Sequence, residues 1–182
     1  MLAYRGLRLQ LILRLYATWP AMHHMGVQTT NPKPRARPHH RSLANKELLS
    51  LGAATATFLE ALPQRVVWIV SADLAHTRLA SGPYGFCPCA QPFDNAVLRW
   101  AKDVPSQSAA EALLQEARRW QREGAASCGF TGLVAAQGAM AQLSANGTAV
   151  PWAGEVLAYG HPTYYGMMVA KFEREPAGAL MV

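Results

Sequence analysis

Cysteine, charge and long apolar runs are all scarce in this 182-residue chain. Three cysteines, Cys87, Cys89 and Cys128, are too few and too odd in number for a disulfide framework, which favours a reducing, cytoplasmic setting. No run approaches the roughly 18 apolar residues of a membrane span. The apolar stretch Leu9–Leu13 is cut short by Arg14 with no small-residue cleavage site after it, so it does not read as a signal peptide. Charged residues make up only 15% of the chain while apolar ones reach 51%, a globular balance rather than a disordered one. Acidic residues are missing altogether from positions 1–41, which hold seven Lys/Arg. From Ser42 onward there are ten basic and eleven acidic side chains. The net charge of +6 therefore belongs to the N-terminal segment, and a near-neutral body argues against a nucleic-acid-binding domain.

The segment 1–41 reads as basic and irregular, above all in the Pro/Arg run Thr29–Arg41; only Leu9–Tyr16 has the composition for a short helix or strand. Regular patterning begins at Ser42. Leu48, Leu51, Phe58, Leu59 and Leu62 share one helical stripe, and Pro63 ends it. Val66–Val70 follows as an unbroken apolar run, the signature of a strand buried on both faces of a parallel sheet. Helices are expected over Phe93–Lys102, from the capping-box signature Ser108-Ala109-Ala110-Glu111 to just before Gly124, and over Phe130–Leu143. Glu155–Tyr159 and Tyr165–Phe172 read as two final strands. The expected architecture is α/β: a mixed, mostly parallel sheet flanked by helices. Asn146-Gly147-Thr148 is a formal glycosylation sequon that serves as a turn in a cytoplasmic protein.

Polar residues begin where the Val66–Val70 strand ends. Ligands bind at the carboxyl ends of strands in open α/β sheets, so Asp73 and His76 are the first candidates for chemistry. Histidine has the near-neutral pKa that proton transfer requires. The turn-rich Ser81–Phe86, with Tyr84, can fold over such a site.

Asp73-Leu74-Ala75-His76, Gly82-Pro83-Tyr84-Gly85-Phe86, Pro88 and Phe93-Asp94 occur in that order, followed by Cys128-Gly129 and Glu155–Tyr159…Pro162…Gly166…Val169–Phe172. This succession resembles the class III extradiol ring-cleavage dioxygenases and the related Memo proteins, over about residues 42–173. The resemblance implies oxidative opening of a catechol-type ring by O₂ at a non-haem Fe(II). His76 would be the acid/base group, Asp73 its orienting partner, and Cys128 would stand at the third metal-ligand position. Tyr84 and His161 would line the substrate pocket. The partners implied are a small aromatic diol and O₂, with no specific nucleic acid, no membrane and a tendency to self-associate. The family's two metal-binding histidines come from its N-terminal half, and nothing before Ser42 resembles their motifs. His23-His24 and His39-His40 follow no strand of the expected kind. On the resemblance, the domain is truncated at its N-terminus, residues 174–182 are a tail, and the alternatives are an inactive, partner-binding remnant or a Memo-like metal-binding protein without ring cleavage.

Each candidate also has a plainer reading. His76 fits a satisfied structural histidine, Asp73 a turn cap, and Cys128 a small buried hydrophobe. Cys87 and Cys89, one residue apart with no second pair, fit ordinary loop cysteines, and His161 fits a turn residue beside Pro162.

Overall fold

The computed structural model describes residues 9–13, 45–145 and 151–174. Its elements in chain order are β1 (Leu9–Leu13), α1 (Asn45–Ala61), β2 (Val66–Ile69), α2 (Ala90–Asp103) and α3 (Gln107–Glu111). Then come two π-helical stretches, Ala112–Ala117 and Gln121–Ala125, on either side of the short α4 (Arg118–Trp120). The chain continues through α5 (Phe130–Ala145), β3 (Trp152–Gly160) and β4 (Met167–Arg174). The four strands form one sheet in the order β2-β1-β4-β3. β1 runs parallel to β2, while β4 is antiparallel to both β1 and β3.

The α/β class read from the sequence is therefore present, but the sheet is mixed with one parallel pairing and two antiparallel ones. The parallel reading rests on the apolar run at β2. That strand lies at the edge of the sheet, and its burial alternates, with Val67 and Ile69 exposed and Val66 and Trp68 half-buried. It is covered on one face, not two. In the N-terminal segment, the short helix or strand that composition allows at Leu9–Tyr16 is a strand. Leu9–Leu13 supplies a strand in the middle of the sheet, pairing Leu9 with Val66 and Leu11 with both Trp68 and Phe172, so residues 1–41 are not irregular throughout. The Pro/Arg run, the four histidines at 23, 24, 39 and 40, the sequon and residues 175–182 lie outside the described residues.

Helix α2 carries the core. Phe93, Ala96, Val97, Trp100 and Ala101 recur at helical spacing and are fully buried. The Trp100 ring lies 5.1 Å from that of Phe172 in β4, and its indole N–H donates to Gln137 Oε1 in α5 at 2.7 Å. A buried indole needs such an acceptor, because an unpaired donor in the interior is costly. The cap of the next helix lies two residues before the expected one. Ser106 has extended backbone and its Oγ accepts the Ala109 N–H at 3.1 Å, while Ser108 already lies in the first turn.

The stripe on α1 also differs from expectation. Leu48, Gly52 and Ala56 are the buried positions, and Leu51 and Phe58 face outward, Phe58 65% exposed. The cause is the closeness of α5. A Cβ on Gly52 would sit 1.8 Å from the Ala135 carbonyl oxygen, and one on Gly138 would sit 2.2 Å from that of Leu49. Small residues let the two backbones touch, and that choice turns the larger side chains away from the contact.

Candidate functional site

The segment after β2 runs without regular structure past the carboxyl end of the strand, held on three sides. On one side Leu74 N–H donates to Gly166 O and Gly166 N–H to Ala75 O, each at 2.9 Å. On another, the start of α5 presses against it. Gly129 has no room for a Cβ, which would lie 2.0 Å from that of Ala72. Ser127 Oγ donates to Asp73 O at 2.7 Å, and the Asp73 N–H points at Cys128 Sγ at 3.3 Å. Gln121 braces this turn, exchanging two 2.9 Å hydrogen bonds with the Ser127 backbone. The His76 N–H then donates to Ala125 O at 2.8 Å.

These tethers bring three chemically distinct side chains together. One ligand atom each from Asp73, His76 and Cys128 all fall within 4.8 Å of one another. His76 Nε2 lies 3.5 Å from Asp73 Oδ2, an ionic contact too long for a good hydrogen bond. That nitrogen is buried and has no hydrogen-bond partner among the described residues. The imidazole is 12% exposed and the carboxylate 34%, and Cys128 is a free, exposed thiol. The cluster is therefore reachable from solvent on its carboxylate and thiol side.

Aromatic rings close the other side. Tyr84, Tyr165 and Tyr164 have centroids 5.2, 5.9 and 6.1 Å from that of His76, and Tyr164 and Tyr165 meet edge-to-face at 4.9 Å. Desolvation pushes the Tyr164 phenol above its ordinary pKa, with the neighbouring phenols and Asp73 adding to it. The structure thus brings Asp73, His76, Tyr84 and Cys128 into one cluster. His161 stands apart from it. It is exposed in the turn between β3 and β4, and its ring faces Tyr159 at 6.5 Å. Sequence reasoning misses Tyr164 and Tyr165, although two adjacent tyrosines beside Pro162 and Gly166 are a visible signal.

A second network lies beneath the cluster. Asp94 is fully buried on α2 and accepts from Ala75 N–H at 3.0 Å, from Arg78 Nε at 3.2 Å and from the Tyr159 hydroxyl at 3.0 Å. Arg78 Nη2 makes a further short contact to the same carboxylate and donates to the Tyr159 oxygen at 2.7 Å. Burial pushes the Asp94 carboxyl upward, against the pull of the Ala75 N–H, the Arg78 guanidinium and the Tyr159 hydroxyl. A Cβ on Gly166 would fall 2.2 Å from Asp94 Oδ2, so glycine is required where the chain crosses this carboxylate. In the sequence, Asp94 stands out only as part of the Phe93-Asp94 motif. The signal for its role is a lone charge on the apolar face of α2.

Tyr159 gives this network a pH signature. Burial, then the charge of Asp94, raise its phenol above the ordinary value of 10.0. A folded-state pKa above the unfolded one gives stability that is complete below pH 10 and is lost as the pH rises through the raised value. The urea midpoint of the wild type should therefore fall more steeply above pH 10 than that of Tyr159→Phe. Parallel slopes would show that Tyr159 titrates as it does in water.

Cys87 and Cys89 are not independent loop cysteines. They are joined in a disulfide immediately before α2. A spacing of one intervening residue with no second pair is a poor metal signature, and that is why the sequence alone points to no joint role for the pair.

A scan against protein-family models finds no match for this chain. Among curated proteins, it is similar to one of Clostridium acetobutylicum known by a locus label, 34% identical over 64 residues. Those residues make up 35% of this chain and 14% of that protein. Among the described residues, no helix is long and apolar enough to cross a membrane.

Proposed function

We propose that this chain is an extradiol ring-cleavage dioxygenase-like protein, acting in the cytoplasm on a catechol-type diol with non-haem Fe(II). The observation that carries the reading is the convergence of Asp73, His76 and Cys128 beside three tyrosine rings. The donor chemistry fits one metal ion. A carboxylate, an imidazole and a thiolate are all competent ligands for iron or zinc, and atoms less than 4.8 Å apart can close on one ion. With His76 kept free as the proton carrier, the set offers one thiolate and one carboxylate; with His76 bound it would be a two-histidine, one-carboxylate triad with sulfur in place of one imidazole.

Cys128 and Asp73 would hold the metal, which when bound would supply the O₂-dependent ring-opening chemistry. His76 would accept a proton from a diol hydroxyl at its unpartnered Nε2 and return it later. Tyr84, 5.2 Å from His76, offers an aromatic wall for a planar ring. His161, exposed and away from the cluster, would contact only a larger substrate reaching toward Tyr159.

One observation favours a second reading, a Memo-like metal-binding protein without ring cleavage. Because His76 lies within the same 4.8 Å cluster, it can serve as a third ligand and would then have no proton to move. Anaerobic Fe(II) titration of the wild type, His76→Ala and Cys128→Ala, followed by oxygen uptake with catechols, separates the two. The dioxygenase-like reading expects one-to-one binding, weakened by about tenfold or more in Cys128→Ala and little in His76→Ala, with oxygen uptake lost in His76→Ala. Equal weakening in both variants with no oxygen uptake supports the second reading. No saturable binding in the wild type overturns both and leaves an inactive remnant.

A further inference from the structure

We propose that Cys87–Cys89 is a thiol–disulfide exchange site for low-molecular-weight thiols, attacked at the Cys87 sulfur with Cys89 as the leaving thiolate. The inference is independent of any metal at Asp73, His76 and Cys128.

The two sulfurs of this bond have unequal surroundings. Cys87 is half-buried in the loop, while Cys89 is only 2% exposed. An incoming thiolate therefore has access to Cys87 and not to Cys89. Exchange speed also depends on how well the departing sulfur carries negative charge. Cys89 is the N-cap of α2, a helix of 14 residues, and its side chain makes no capping hydrogen bond. The first-turn N–H groups and the helix dipole favour an anion at that position. Exposure thus selects Cys87 as the attacked sulfur, with Cys89 leaving at the helix N-terminus, while the Cys89 N–H points at Cys87 Sγ at 3.2 Å.

The balance of the reaction is simple. A thiolate R–S⁻ attacks Cys87, forming a mixed disulfide R–S–S–Cys87 and releasing Cys89–S⁻. A second R–S⁻ attacks the R sulfur, giving R–S–S–R and Cys87–S⁻, and protons come from water. Two thiols are oxidised and one protein disulfide is reduced. A place for the reduced Cys87 thiol already exists, since its sulfur lies 3.8 Å from the Glu123 carbonyl oxygen.

The pair also stands at the foot of the strap that carries Tyr84. Arg78 and Phe86 bridge the ends of that strap, and the Cys87 N–H donates to Thr77 O at 2.8 Å, one residue beyond His76.

The test uses the full chain carrying Cys128→Ala, so that only two sulfurs remain. Denatured after air oxidation, it should show no free thiol, and after reduction two. Adding Cys89→Ser or Cys87→Ser then leaves one sulfur at a time for reaction with oxidised glutathione, followed by mass spectrometry of the folded protein. The mixed disulfide at Cys87 should form about tenfold or more faster than at Cys89. Two free thiols after air oxidation, or equal or reversed rates in variants with unchanged circular dichroism, would overturn the proposal.

Discussion

Asp94→Ala should destabilise the fold by about 3–5 kcal/mol, the cost of leaving one partner of a buried ion pair without the other. Arg78 is 9% exposed and lies against this carboxylate, and its charge would be left with only the neutral Gln91 and Tyr159 oxygens as acceptors. The Ala75 N–H and the Tyr159 hydroxyl would lose their acceptor as well. Against a typical total of about 5–15 kcal/mol, such a loss brings a domain close to unfolding at ambient temperature. Urea midpoints for the wild type and the variant measure it. The double change Asp94→Leu with Arg78→Met should cost much less, because it removes both charges and fills the space with apolar atoms. A cost below about 1 kcal/mol for Asp94→Ala would mean that the pair is solvated and does not clamp the segment bearing His76.

Gly52→Ala is the second large effect. On an exposed helix this change would help by about 1 kcal/mol, because alanine is the better helix former. Here the added methyl would lie 1.8 Å from the Ala135 carbonyl oxygen, a backbone atom that cannot swing aside. The helices must separate, and overpacking of this kind costs about 1–3 kcal/mol, occasionally more. A net loss of thermal stability is the expected outcome, read by calorimetry. Gly138→Ala forces open the same gap from the other helix, against Leu49. The two changes together should therefore cost less than the sum of the single costs, since neighbouring sites do not add. Strict additivity would show that the two contacts yield independently.

The order of elements is legible in the sequence because apolar spacing and helix stops are local. Pro63 bounds α1, Phe93, Val97 and Trp100 mark the buried face of α2, and the apolar run at Val66 marks β2. The pairing of strands is not legible, since an unbroken apolar run of five residues suits a central strand and an edge strand equally well. Nor is the face of α1, where two glycines far apart in sequence decide what packs. At the site, Asp73, His76, Tyr84 and Cys128 each stand out by residue type and position, and the fold brings them together. Tyr164 and Tyr165 reach His76 through the backbone pairing of Gly166 with Leu74 and Ala75 and of Tyr164 with Arg78, contacts across some ninety residues that periodicity does not record. The Arg78–Asp94–Tyr159 network is hidden for the same reason: its members come from a loop, a helix and a strand.

The central place of β1 has a consequence for biosynthesis. Leu11 sits opposite Trp68 on one side and Phe172 on the other, so among the described strands β1 is flanked by one partner made soon after it and one made much later. During vectorial synthesis, β1 can pair with β2 once residue 69 has cleared the ribosome, but its other edge stays open until β4 has emerged as well. Closing so long a loop is slow, and the nascent chain meanwhile presents a bare strand edge to its surroundings. Chaperone demand should therefore be greatest between the emergence of β2 and that of β4.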